Sequence, residues 1–127
     1  VIPYNPLAGG FLSGKHVQGH EPAEGTRFTL GWAGKVYQHR YWQEAQFRAV
    51  ERLEKEVLAR GLDLVSVALK WVMDQPGITS AIVGASRPEQ LAASLAAPKL
   101  AIDEDLARAL DAAWWDLPRR PVDEGYR

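Results

Sequence analysis

The sequence predicts an α/β fold in which two buried parallel strands alternate with about four helices. Three observations point there. Two short runs rich in β-branched and aromatic residues, "VIPY" (Val1–Tyr4) and "TSAIVGA" (Thr79–Ala85), have apolar stretches without polar alternation, as in strands covered on both faces. Between and after them, apolar residues recur at helical spacing. Gly and Pro punctuate the boundaries, at Gly61, Pro76-Gly77, Pro88 and Pro118.

Each element follows in order. Val1–Tyr4 reads as the first strand, and residues from about 5 to 40 as a long Gly-, Pro- and aromatic-rich connection. Within it, "WAGKVYQHRYW" holds a short helical turn. A helix runs from about Trp42 to Arg60, with Phe47, Val50, Leu53, Val57 and Leu58 on its inner face and Gly61 as its stop. Asp63 caps the next, whose face is Val65, Ala68, Leu69, Val72 and Met73. The second strand follows Pro76-Gly77. Ser86 or Arg87 then starts a helix with Pro88 in its first turn and Leu91 and Leu95 inward. Asp103 caps the last helix, Glu104 and Asp105 favour its positive end, and Leu106, Leu110, Ala113 and Trp114 line its buried side. Trp114-Trp115 reads as helix packing rather than a binding platform. The charged residues after the Pro118 stop read as a mobile tail, 118–127, beside a single domain at 1–117.

Composition narrows the function. At 127 residues the chain can bury a real core, and 46% hydrophobic with 24% charged residues is ordinary for a globular domain. A net charge of −1 gives no reason to expect a nucleic-acid or acidic-membrane partner. The absence of cysteine excludes disulfides and thiolate metal sites and fits a cytoplasmic protein. The chain opens on "VIPYNPLAGG", a core-like run with no Met and no polar lead-in, so it reads as cut from something longer. Two strands do not make a covered sheet, and the others are expected before Val1 or from another copy.

Two stretches carry chemistry. "GGFLSGKH", Gly9–His16, fits the phosphate-loop pattern G-x-x-x-x-G-K until its last position. There His16 replaces the hydroxyl residue that would hold magnesium, and loop sequence follows Lys15 where a helix should start. A nucleotide-hydrolysing loop is therefore not expected. The second stretch runs from Thr79 to Ala97. A strand, the small residues Gly84 and Ala85, the hydroxyl of Ser86, the guanidinium of Arg87 and a helix N-terminus together suit an anion such as a phosphate monoester. The other reading is an ordinary turn with a solvated Arg. His16, His20 and His39 lie in loop sequence without a matching carboxylate set, so they are expected at the surface and no metal site is expected.

"IVGASRPEQLAASLAA" resembles the C-terminal cofactor signature of the aldo-keto reductases, and "VIPYNPLAGGFLSGK" resembles that family's segment at its seventh barrel strand. "PAEGTRF" and "VALKWVMDQPGITSAIVG" are also similar to family sequence, and the resemblance covers nearly all of the chain except the tail. It implies the C-terminal part of a TIM-type (β/α)8 barrel carrying the last two strands, with NADPH as cofactor and a small-molecule carbonyl compound as substrate. By resemblance, Tyr4 stacks on the nicotinamide and Asn5 lies beside the cofactor, where the family often has Ser. Leu7, Gly9 and Gly10 line the pyrophosphate, and Lys15 reaches it. Gly84 admits the adenosine end, Ser86 and Arg87 hold the 2′-phosphate, and Gln90 and Ser94 contact the adenosine half.

Departures from the family pattern bear on these roles. Ala93-Ser94 replaces a Glu-Asn pair, which weakens adenine contacts, and Ser86 replaces a Lys, which removes one cation. The family's catalytic Asp, Tyr, Lys and His belong to earlier strands, so no catalytic residue is expected here and the chain alone is expected to be inactive. A truncated, non-catalytic NADP-binding module or subunit is the alternative reading.

Overall fold

The computed structural model describes residues 1–118. Beyond Pro118, the expected mobile tail lies outside them. Among the described residues five α-helices form: α1 (Gly31–Tyr41), α2 (Glu44–Leu58), α3 (Leu64–Asp74), α4 (Pro88–Ala96) and α5 (Glu104–Asp116). Short 3-10 turns occur at Ala8–Ser13, Arg27–Thr29 and Ala97–Lys99.

The helix signals read from the sequence hold best where amphipathicity is strongest. On α2, Phe47, Val50, Leu53 and Val57 are buried. The side chain of Asp63 accepts from Ser66 N–H at 2.9 Å and caps α3. The side chain of Asp103 accepts from Leu106 N–H at 2.7 Å and caps α5. Leu106, Leu110 and Ala113 of α5 then join Phe11, Phe28, the α2 face, Leu64 and Val67 in one core. Polar links tie these helices: Trp71 Nε1 donates to Asp111 at 2.8 Å, Arg60 Nε donates to Asp103 at 2.8 Å, and Arg52 pairs with Asp116 at 3.9 Å.

The two predicted strands do not form as strands. Among the described residues a single parallel bridge, Tyr4 with Ile82, joins the two segments. Ile82 N–H donates to Pro3 C=O and Thr79 N–H to Val1 C=O, each at 2.9 Å. The predicted parallel direction is present, but the predicted burial is not, since Val1, Ile2, Tyr4 and Ile82 are all exposed. The reason is physical: a lone pair of segments has neither neighbours on its edges nor covered faces, and a sheet needs both to bury its side chains.

Other expectations need correction. The connection from 5 to 40 is not a plain loop, because "GWAGKVYQHRY" forms all of α1. Its stability rests on contact rather than an apolar stripe. Gly34 lies so close to Phe28 that an added Cβ would be 2.6 Å from the Phe28 carbonyl oxygen, and Gln38 Nε2 donates to that same oxygen at 2.7 Å. α2 begins at Glu44 rather than Trp42, and Leu58 is exposed past the edge of its buried face. α3 is enclosed on more than the predicted side: Leu64, Ser66 and Val67 are buried with Ala68 and Leu69, while Val65, Val72 and Met73 are half-buried. Packing against α2, α4 and the Ala8–Ser13 turn explains this. α4 buries no residue, and Leu91 and Leu95 are exposed. It rests on α3 with one tie, from Ser66 Oγ to Ala93 C=O at 3.3 Å. Trp114 and Trp115 are also exposed, because the buried stripe of α5 ends at Ala113.

His16 is not the surface histidine expected. Its ring centroid lies 5.0 Å from both Phe28 and Trp42 and 6.0 Å from Phe11. Its Nε2 is enclosed and has no hydrogen-bond partner among the described residues. Desolvation, then repulsion from Lys15, holds its pKa below the ordinary 6.5. The unfolded chain therefore binds more protons than the folded one in that window. Stability from the neutral ring is fully present above pH 6.5 and is lost as pH falls through the lowered folded value. Denaturant unfolding at about pH 7.5 and pH 5 checks this: His16→Phe is expected to lose less stability on acidification than the wild type, and equal losses would contradict it.

Candidate functional site

A cleft of about 930 Å³ opens where the first segment of the chain meets the bridge partner. Ten of the eleven residues singled out in the sequence line it: Tyr4, Asn5, Leu7, Gly9, Gly10 and Lys15 on one side, and Gly84, Ser86, Gln90 and Ser94 on the other. The parallel bridge from Tyr4 to Ile82 is what brings these distant segments together. Arg87 is the exception. It is exposed as the N-cap of α4, adjacent in sequence to Ser86, and is not part of the lining.

The first side is a turn of unusual backbone. Asn5, Ala8, Gly9 and Gly10 have φ of 60°, 51°, 71° and 94°, all left-handed. Asn tolerates this region better than most residues, and Gly adopts it freely. The Asn5 side chain closes the turn, its Oδ1 accepting from Gly9 N–H at 2.7 Å. Its Nδ2 donates to the Tyr41 hydroxyl at 3.3 Å. Burial raises the Tyr41 pKa, and so helps keep that hydroxyl protonated. Ser13 Oγ donates to Gly10 C=O at 2.7 Å, and left-handed Gly14 (φ 72°) turns the chain toward Lys15. The second side is looser. The Gln90 carboxamide oxygen accepts from both Ser86 N–H and Ser86 Oγ–H at 3.0 Å, closing the first turn of α4. Ser94 Oγ donates to Gln90 C=O at 3.0 Å.

The structure adds residues that the sequence reading did not single out. Thr26, Arg27, Leu30, Tyr37 and Asp63 also line the cleft. Arg27 lies across from the second side: a Cβ at Gly84 would stand 3.7 Å from Arg27 Nη2. Phe28, with no exposed surface, anchors the turn that carries Arg27. A lone cation preceding an aromatic in "GTRF" is the signal that could have found it. Among the described residues neither Lys15 nor Arg27 forms an ion pair, while the one carboxylate in the lining, Asp63, is engaged by Ser66 N–H. Two cations that form no ion pair among the described residues, in a lining with one carboxylate, suit an extended, multiply anionic ligand. No group of His, Asp and Glu among the described residues has the arrangement of a metal site.

Gly9 tests the packing of the turn. A Cβ there would lie 2.5 Å from Tyr37 Cδ1, on a backbone that already disfavours side chains, whereas a Cβ at Gly10 would meet nothing within 4 Å. Gly9→Ala is expected to cost about 2 kcal/mol or more in denaturant unfolding and to exceed Gly10→Ala. Equal costs would show that the Tyr37 contact is not what excludes the side chain.

The profile described as "Aldo/keto reductase family" matches residues 1–114. The chain is 34% identical over 125 residues to the human aflatoxin B1 aldehyde reductase member 2, covering 87% of this chain and 34% of that protein. It is 30% identical over 120 residues to an aldo-keto reductase of Pseudocercospora fijiensis, covering 87% and 40%, and 33% identical over 111 residues to an uncharacterized oxidoreductase of Bacillus subtilis, covering 87% and 31%. It thus spans between about a third and two-fifths of the length of these relatives. With the profile matched from Val1 through Trp114, the chain belongs to the aldo/keto reductase family.

Proposed function

We propose that this chain is the C-terminal, cofactor-binding part of an NADPH-dependent aldo-keto reductase that reduces a carbonyl to an alcohol. The observation that carries the reading is the shared cleft. Residues of two motifs, separated by some 70 positions, face one space that also holds Lys15 and Arg27, neither of which forms an ion pair among the described residues. Chemical fit supports it, since a dinucleotide carries a flat apolar ring at one end, a doubly charged linker and a phosphorylated ribose at the other.

When bound, the nicotinamide supplies the hydride for the carbonyl carbon. The chain's own residues do the holding. Tyr4, exposed on the bridge, offers a ring face for stacking. Asn5 lies beside the cofactor, Leu7, Gly9 and Gly10 let the pyrophosphate approach the turn closely, and Lys15 and Arg27 neutralise it. Gly84 leaves room for the adenosine end. Ser86 and Arg87, at the N-terminal end of α4, take the 2′-phosphate and favour NADPH over NADH. Gln90 and Ser94 border the adenosine. Leu30 and Tyr37 provide wall for the substrate end. In this reading the proton donor to the carbonyl oxygen belongs to the part of the fold that the chain's span of its relatives leaves uncovered.

Fluorescence titration of the wild type and Arg87→Ala with NADPH and with NADH tests the assignment. Loss of a charge-assisted contact to phosphate is expected to weaken NADPH by roughly tenfold or more, with NADH little changed. Equal effects on the two would refute the 2′-phosphate role, and failure of the wild type to bind either dinucleotide would refute the reading as a whole.

A further inference from the structure

α1 touches the Asn5–Gly10 turn at two points, one helical turn apart. The Tyr37 ring lies against Gly9, close enough to exclude a Cβ. The Tyr41 hydroxyl meets Asn5 Nδ2 at 3.3 Å. The Asn5 carboxamide can sit only one way round. Gly9 N–H is a donor, so the atom 2.7 Å from it must be the carboxamide oxygen, which leaves the NH2 for Tyr41. Tyr41 is therefore the acceptor in this pair. The turn needs such help, because two of its four left-handed residues, Asn5 and Ala8, are not glycine. α1 is itself fixed, through Gln38 and Gly34, to the backbone of Phe28.

We propose that Tyr41 is a positioning residue for the nucleotide loop. Its hydroxyl orients the Asn5 carboxamide, the carboxamide holds Gly9 N–H, and the turn keeps the backbone that faces the cleft. Tyr41 does not line the cleft and touches no ligand in this scheme; it acts through Asn5. The ligand named, a dinucleotide, rests on the function proposed above, whereas the effect on the turn does not.

Tyr41→Phe removes the hydroxyl and keeps the ring. Two readouts separate the claims: hydrogen exchange at the Gly9 amide in the ligand-free 127-residue chain, and NADPH dissociation by fluorescence titration. Tyr41→Phe is expected to speed Gly9 exchange and to weaken NADPH, each by about three- to tenfold, the scale of one lost hydrogen bond. In an Asn5→Ala background the same substitution is expected to add nothing to either readout. In an Asn5→Asp background it is expected to retain its effect, because a carboxylate can accept from both Gly9 N–H and the Tyr41 hydroxyl. Additive effects with Asn5→Ala, or unchanged Gly9 exchange in Tyr41→Phe, would overturn the proposal. Coupled exchange effects in a chain that binds no NADPH would uphold the positioning role and overturn the dinucleotide reading instead.

Discussion

Phe28 has no exposed surface, and the segments that build one side of the cleft converge on it. Its ring lies 4.9 Å from Trp42 and 6.1 Å from Phe11, with Tyr37 at 6.0 Å. Phe11 brings in the Ala8–Ser13 turn, Tyr37 brings in α1, and Trp42 leads into α2. Its neighbour Arg27 is delivered to the cleft by the same anchoring. The aromatic contacts are directional as well as apolar, so they fix orientation along with proximity. His16 belongs to this cluster, and its enclosed nitrogen adds a dependence on protonation to an otherwise apolar assembly.

The two sides of the cleft therefore differ in how firmly they are held. Asn5, Gly9 and Gly10 sit on a turn closed by side-chain and backbone hydrogen bonds and backed by α1. The other side has the Tyr4–Ile82 bridge with its backbone bonds and the Ser66–Ala93 tie, and α4 buries nothing. Few buried contacts and exposed backbone bonds mark a region of low local stability. A ligand spanning the cleft would join the weaker side to the stronger, and its binding energy would be offset in part by that ordering.

Much of this was legible in the sequence where one residue type has one physical use. Asp63 and Asp103 act as caps, Pro88 opens α4, and the apolar face of α2 is buried apart from its last residue. The motif residues other than Arg87 fell around one cleft because a strand-like run and a glycine-rich turn fix where backbone goes. What stayed hidden depends on partners distant in sequence. α1 shows no apolar stripe, and its folding rests on Gly34 and Gln38 meeting Phe28. The cation before the aromatic in "GTRF" marks Arg27, but that it stands across from Gly84 depends on a partner far away in sequence. The strand runs predicted burial that a lone pair of segments has no means to provide, and the leucines of α4 predicted an inner face that nothing among the described residues covers.

In the proposed function, residues near position 9 and residues near position 86 would bind one dinucleotide together. Amide chemical shifts followed during titration with NADP address it most directly. Gly9 and Gly10 are expected to shift together with Gly84 and Ser86 and to saturate at one shared ligand concentration. Shifts confined to one side, or two separate saturations, would contradict it.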